Sequence, residues 1–465
     1  MLFNSVVFLF AFLPVTYAVF WALHNARSRY VWLTLTGYVF YGYWEPWFCL
    51  LMLFSTLVSY IAGLAFLRWD DDPARRRWCL VAPVAVDLAL LAFFKYANFG
   101  IETAAWVAGL FGPRPDLPAL DIVLPVGISF YTFHTISYIV DAYRRVIVPT
   151  RNFWEFASYV SLFSQLVAGP IVRFRQIEED LENIARHDRR DGIRRGIAYF
   201  CVGLVEKVLV ADTLAAMVDP ALTHWETLGT AGTWLAMLGY SFQLLFDFSG
   251  YSTMAVGLGL LFGLRIPQNF DSPYQSKDPS EFWRRWHISL STCLRDYLYI
   301  SFGGNRGSVL ATYRNLMLTM LIGGLWHGAS WGFVFWGFYH GMLLCLYRVF
   351  RTTWDKMHRV LQQTVMFAAT VVGWIFFRAT SFAEALGILR KMVVPTEGAY
   401  FSDIQLALAL PVMAIAAWWS MRGPNAFELK HEWTPGRRVA LAAAFGAGLA
   451  LIVTARPSPF LYFQF

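Results

Sequence analysis

Charge is scarce in this sequence. Only 15% of its 465 residues are Asp, Glu, Lys or Arg, against roughly 25% in ordinary soluble domains. Hydrophobic residues make up 57%, with 41 Phe and 20 Trp. A chain with so little polar surface cannot be a soluble globule of this size, which leaves an integral membrane protein. Cysteine is also sparse: Cys49, Cys79, Cys201, Cys293 and Cys345 are far apart, and no CxxC or CxxxH pair occurs. That spacing excludes a disulfide framework and argues against a zinc site. The first apolar stretch, MLFNSVVFLFAFLPVTYAVFWAL, has no cationic residues before it, so it reads as a first span rather than a cleaved secretion signal. Repeats of 20 to 50 residues, low-complexity tracts and long hydrophilic insertions are lacking too, and one membrane domain over 1–465 is expected.

What charge there is carries a pattern. The net charge of +7 collects in short segments such as Arg75 to Arg77 and Arg186 to Arg195, as in cytoplasmic loops of membrane proteins, and nucleic acid is not the expected partner. Spans of about 20 apolar residues are predicted at 3–23, 30–46, 48–67, 79–95, 122–141, 153–170, 196–217, 231–249, 251–264, 309–326, 328–348, 360–378, 405–421 and 438–454. The Lys/Arg asymmetry places the N-terminus outside. It makes 97–121 an external, non-spanning piece and 153–170 a re-entrant element. The run DDDPARRR from Asp70 to Arg77 reads as a solvated loop without chemistry.

The stretch Asp278 to Gly341 holds three histidines in this apolar chain. Ionisable groups at membrane depth cost roughly 2.5–3.5 kcal/mol on insertion scales, so such a cluster must face protein or water. Asp278, Pro279 and Glu281 form a helix start. A continuous helix from there puts Trp283, Trp286, His287, Leu290, Leu294, Tyr297 and Leu298 on one face and returns Arg284 and Arg295 to within about 20° of each other. The run Gly303 to Gly307 breaks it, and the next helix, starting near Tyr313, delivers Trp326, His327 and Gly328. If 327–340 is helical, His327 and His340 are roughly 20 Å apart along the axis and cannot share an ion; no metal site is expected. Ser289, Ser291 and Cys293 lie near His287, but without a G-x-S-x-G elbow a covalent acyl-enzyme is a minor option.

Further polar residues recur at depth. Lys95 at a span end reads as snorkelling, Gln243 and His134 as bundle contacts, and Asp247 as a carboxylate in want of a cation or a ligand.

Taken together, FKYANF (94–99), LPVGISFYTFHTISYIVDAYR (124–144), AGPIVRF (168–174), QLLFDFSGYSTMAVGLGL (243–260), PYQSKDPSEFWRRWHISLSTCLRDYLYISFGGNRG (273–307), YRNLMLTMLIGGLWHG (313–328) and FLYFQF (460–465) resemble the membrane-bound O-acyltransferase (MBOAT) family. Within it, the likeness is to the bacterial branch that O-acetylates alginate. The resemblance implies an all-α, polytopic helical membrane fold with a central tunnel. It implies cytoplasmic acetyl-CoA as acyl donor with no bound cofactor, and an exopolysaccharide as final acceptor through a periplasmic acetyltransferase partner. It identifies His327, in the WHG motif, as the essential residue and His287 as the second polar position. Acyl transfer needs a base for the hydroxyl proton and donors for the oxyanion. His327 is the expected base, and His287 with Trp283 or Trp326 the group that orients the acceptor or stabilises the oxyanion. Arg284, Arg295, Asp296, Asn305 and Asp247 complete the expected substrate contacts. Two alternatives remain open: D-alanyl or peptidoglycan acyl transfer by the same chemistry, and a lipid-linked sugar transporter without acyl chemistry.

Overall fold

The computed structural model describes residues 1–167, 169–398, 401–429, 434–454 and 461, and among these no β-strand occurs. The chain is all-α and polytopic. It opens with α1 (Leu13–Ala22), α2 (Ala26–Tyr41) and α3 (Phe48–Arg68). Next, α4 (Pro73–Leu91) runs through a π-helical turn (Ala92–Tyr96) into α5 (Ala97–Ala108). The DDDPARRR run starts α4: Asp72 caps it by accepting from the Ala74 and Arg75 N–H groups, with Pro73 at the first position.

Four more helices follow: α6 (Ile128–Tyr143), α7 (Phe153–Val160), α8 (Phe163–Leu166) and α9 (Phe174–Glu182). Then come α10 (Arg189–Val205), a further π-turn (Glu206–Ala211), α11 (Asp212–Thr223) and α12 (Thr230–Leu261). The site region comprises α13 (Pro279–Arg285), α14 (Ile288–Cys293) with a π-turn (Leu294–Tyr299), α15 (Val309–His327) and α16 (Trp331–Trp354). The chain continues through α17 (Arg359–Arg378), α18 (Phe382–Val393), α19 (Asp403–Arg422) and α20 (Pro435–Thr454). Among the described residues six helical stretches are long and apolar enough to cross a membrane: 48–68, 73–108, 230–261, 331–354, 359–378 and 435–454.

Two expected spans change, and 153–170 keeps its non-spanning reading. The spans 231–249 and 251–264 are one helix, because Gly250 serves a close helix crossing rather than a break: a Cβ there would stand 2.7 Å from the Gly203 carbonyl oxygen of α10. The expected span at 79–95 belongs to a helical stretch that continues to Ala108. Its 36 residues reach about 54 Å at 1.5 Å per residue, so α5 continues well past an apolar core of about 30 Å. Segment 153–170 holds two helices of 8 and 4 residues, too short to span. Apart from Leu461, the FLYFQF motif lies outside the described residues.

The helix ends sort into two layers. In one, Arg76 donates to the carbonyls of Ala142 and Tyr143, Arg145 to that of Asp70, Arg144 to that of Asp296, and Arg265 pairs with Asp180 and Glu179. These bonds tie the loops after α3, α6, α9, α12 and α14 into a basic end. Away from it lie Lys95 and Lys207 within the bundle, and Arg114, Arg378, Arg390 and Lys391 on segments that belong to the opposite layer. In that opposite layer, Lys391 donates to the carbonyls of Glu226 and Leu228.

Candidate active site

Helix α15 stops at His327 because Gly328 takes up an extended conformation (φ −161°, ψ 153°). Ser330 then caps α16 by accepting from the Phe333 N–H. The two helices return against each other closely: a Cβ on Gly324 would stand 2.2 Å from the Phe333 carbonyl oxygen, and one on Gly337 2.3 Å from that of Met320. This contact lays the start of α16 along the last turns of α15. Trp336 consequently covers His327, ring centroids 5.0 Å apart, and His340 lies 4.7 Å beyond on the same indole. The expected 20 Å separation of His327 and His340 is therefore wrong, since 328–330 breaks the helix it assumed. Among the described residues no group of three or more His, Cys, Asp or Glu side chains stands ready for a metal ion.

His287 also departs from expectation. It is not in the second or third turn of one helix but at a break between α13 and α14, with φ +44°. A non-glycine residue there is strained, and such strain gathers at functional sites. As a result Arg284 and Arg295 share no helix face. The break is fixed from outside by Asn269, whose backbone oxygen accepts from the Ile288 N–H and whose Oδ1 accepts from the Ser289 N–H and hydroxyl. The same Oδ1 lies 3.2 Å from His287 Nδ1. Because a carbonyl oxygen can only accept, the bond assigns the proton to Nδ1 and leaves the Nε2 lone pair open. Nε2 is buried and has no hydrogen-bond partner. The His287 ring stands 6.4 Å from His327 and 5.9 Å from Trp326.

The other expected site residues divide into three groups. Trp326 packs between the two histidines, 5.1 Å from His327, and Trp283 is 5.7 Å from Trp336 and 5.2 Å from His340, its indole N–H buried without a partner. Arg284, Arg295, Asp296 and Asn305 lie at the basic end. There Arg284 donates to Ser280, and Asn305 accepts from Tyr299 and Arg348. Asp296 takes Arg173 at 2.6 Å and Arg295 at 2.7 Å. Burial alone would raise the Asp296 carboxyl, but these arginines hold it below the ordinary carboxylate range. Asp247 finds its cation in Lys207, 2.5 Å away, and also accepts from the Leu461 N–H.

Sequence reasoning missed two contributors. Lys95 does not snorkel: its ammonium turns inward and donates to the carbonyls of Trp326 and His327. Asn269 belongs to a polar loop with no motif of its own, and only the fold brings it to His287. Ser289 is occupied with Asn269 and the Ile171 N–H, which gives it a structural rather than a nucleophilic setting.

A buried imidazole with an open Nε2, facing a second imidazole across an indole, suits proton transfer to or from a hydroxyl. Comparison with known proteins points the same way. The family model described as the membrane-bound O-acyltransferase family matches residues 119–383. The probable alginate O-acetylase AlgI of Pseudomonas aeruginosa is 45% identical over 394 residues, covering 84% of this chain and 75% of the relative. That of Azotobacter vinelandii is 39% identical over 505 residues, covering all of both. The peptidoglycan O-acetyltransferase of Helicobacter pylori is 35% identical over 428 residues, 84% of this chain and 80% of its own.

Proposed function

This chain belongs to the membrane-bound O-acyltransferase family, and on that premise we propose that it takes an acetyl group from cytoplasmic acetyl-CoA and passes it across the bacterial inner membrane for O-acetylation of an alginate-like exopolysaccharide. The observation that carries the reading is the facing pair His287 and His327, 6.4 Å apart between a basic layer and an opposite, less charged one. The basic layer is cytoplasmic and the N-terminus outside, in keeping with the preference of Lys and Arg for the inner face. Arg284, Arg295 and Asn305 meet the phosphates of the donor there, with Asp296 orienting Arg295. The acetyl thioester reaches the histidines from that side, and a hydroxyl from the other.

His327 removes the hydroxyl proton as the oxygen attacks the thioester carbonyl. The C–S bond breaks, and the same proton passes to the departing thiolate. His287, protonated at Nδ1, accepts the hydroxyl's one hydrogen bond at Nε2 as the acceptor arrives and so orients it before that proton turns to His327, while the unpartnered Trp283 indole N–H is a donor suited to the oxyanion. The outer hydroxyl belongs to an extracytoplasmic acetyltransferase partner that passes the group to the polymer.

The test reconstitutes the purified chain in vesicles with acetyl-CoA on the side of the basic layer and polymer on the other, with and without the partner. Thiol release with partner-dependent polymer acetylation is expected. Passage of a lipid-linked sugar without thiol release would make the chain a transporter, and thiol release only from a D-alanyl thioester would replace acetyl as the cargo.

A further inference from the structure

Helix α15 ends inside the bundle, and a helix end leaves its last carbonyls without intrahelical partners. Here those carbonyls carry the site, because the last residue is His327. They are satisfied by two consecutive residues of another element. The Tyr96 hydroxyl donates to the Leu325 carbonyl at 2.8 Å, and the Lys95 ammonium donates to the carbonyls of Trp326 and His327, the latter at 3.2 Å. Lys95 also lies 3.4 Å from Ser129 Oγ, in the first turn of α6, and 5.9 Å from the centroid of the Trp326 ring. Among the described residues Lys95 forms no ion pair; its ammonium meets the helix-end carbonyls, a hydroxyl and an aromatic face. A cation at a helix C-terminus is favourable because the carbonyl dipoles converge there.

Two consecutive helical residues point about 100° apart and do not ordinarily grip one target. Lys95 and Tyr96 are the last two residues of the π-helical turn Ala92–Tyr96, and both nevertheless reach the same helix end. Isolated π-turns occur often at functional sites.

We propose that Lys95 and Tyr96 form a positioning clamp that holds the last turn of α15, and through it the His327 ring, in register with His287. Lys95 is a positioning residue, not a catalytic one: its ammonium is bound to the backbone of residues 326 and 327. The consequence for catalysis rests on the proposed role of His327, but the clamp itself does not. A side chain misplaced by about 1 Å costs on the order of 10²-fold in rate.

The experiment uses the full chain in lipid vesicles and compares wild type, Lys95→Met, Lys95→Arg and Tyr96→Phe. Hydrogen exchange followed by mass spectrometry reads the amides of 323–328 against those of 309–320. Acetyl-CoA thiol release reads kcat and KM. Faster exchange in 323–328 alone is expected for Lys95→Met, with kcat lower on the order of 10²-fold at unchanged KM. Lys95→Arg should restore much of both, and Tyr96→Phe should show a smaller change of the same kind. Unchanged exchange at the helix end in Lys95→Met would overturn the clamp. So would loosening along the whole of α15, which marks a merely structural lysine, or a rise in KM with kcat intact. A wild-type chain that releases no thiol would overturn the proposed reaction, yet the exchange measurement would still decide the clamp.

Discussion

Asn269 shows how one side chain sets the chemistry of another. By accepting from Nδ1 of His287, it fixes which ring nitrogen carries the proton and which lone pair meets the site. His327 and His340 are both buried histidines, yet their surroundings differ. His327 is the last residue of its helix, between Trp326, Trp336 and His287, whereas His340 sits within α16, sandwiched by Phe282, Trp283 and Trp336 with both ring nitrogens unpartnered. His327→Ala should therefore lower acetyl transfer by roughly 10²- to 10⁴-fold, the range for a positioned base. His340→Phe, which keeps an aromatic ring in the sandwich, should retain most activity. Turnover in vesicles at matched protein amounts checks both, and equal losses would put His340 into the chemistry. At this scale the motif residues were legible in the sequence: His287, His327 and Trp326 do come together. Asn269 and Lys95 were not, because a loop asparagine and a span-end lysine have no periodic or motif signal, and their partners lie 18 and more than 200 positions away.

Helix boundaries were less legible than helix existence. The start at Asp278 was readable, since its carboxylate does accept from the Glu281 N–H, although Glu281 reaches back to the Lys277 N–H rather than to the cap. The break at His287 was not, because its cause is the Asn269 backbone and side chain, a tertiary contact overriding a continuous helical pattern. The division into spans 231–249 and 251–264 erred in the opposite direction, since Gly250 lies within α12 at its close approach to α10. The same kind of contact is decisive in the α15 and α16 hairpin. Gly324→Val should force Phe333 away and cost at least about 1–3 kcal/mol as an overpacked site. Gly446→Ala in α20, where a Cβ meets nothing within 4 Å, should be close to neutral. Thermal unfolding in detergent, with thiol release at a permissive temperature, distinguishes them. A stable, fully active Gly324→Val chain would mean that the hairpin does not position His327.

For the whole molecule, the six long apolar stretches and the basic layer fit together only with all the basic loops on one side of the membrane. Single cysteines introduced at Asp71 and Asn183 should react with an impermeant reagent only from the cytoplasmic face, and one at Asp116 only from outside. Labelling of Asp71 and Asn183 from outside would invert the topology. The separation of charge between the two layers also makes the membrane voltage part of how the protein is built. Each positive charge carried across costs about 2.3 kcal/mol per 100 mV. An inverted copy would have to carry Arg76, Arg144, Arg145, Arg173 and Arg265 to the positive side together with the carboxylates that pair four of them, Asp70, Asp296, Asp180 and Glu179, so that five positive and four negative charges leave one net positive charge to move for this set. An energised membrane would therefore bias this fold toward the orientation that keeps the basic layer on its negative side.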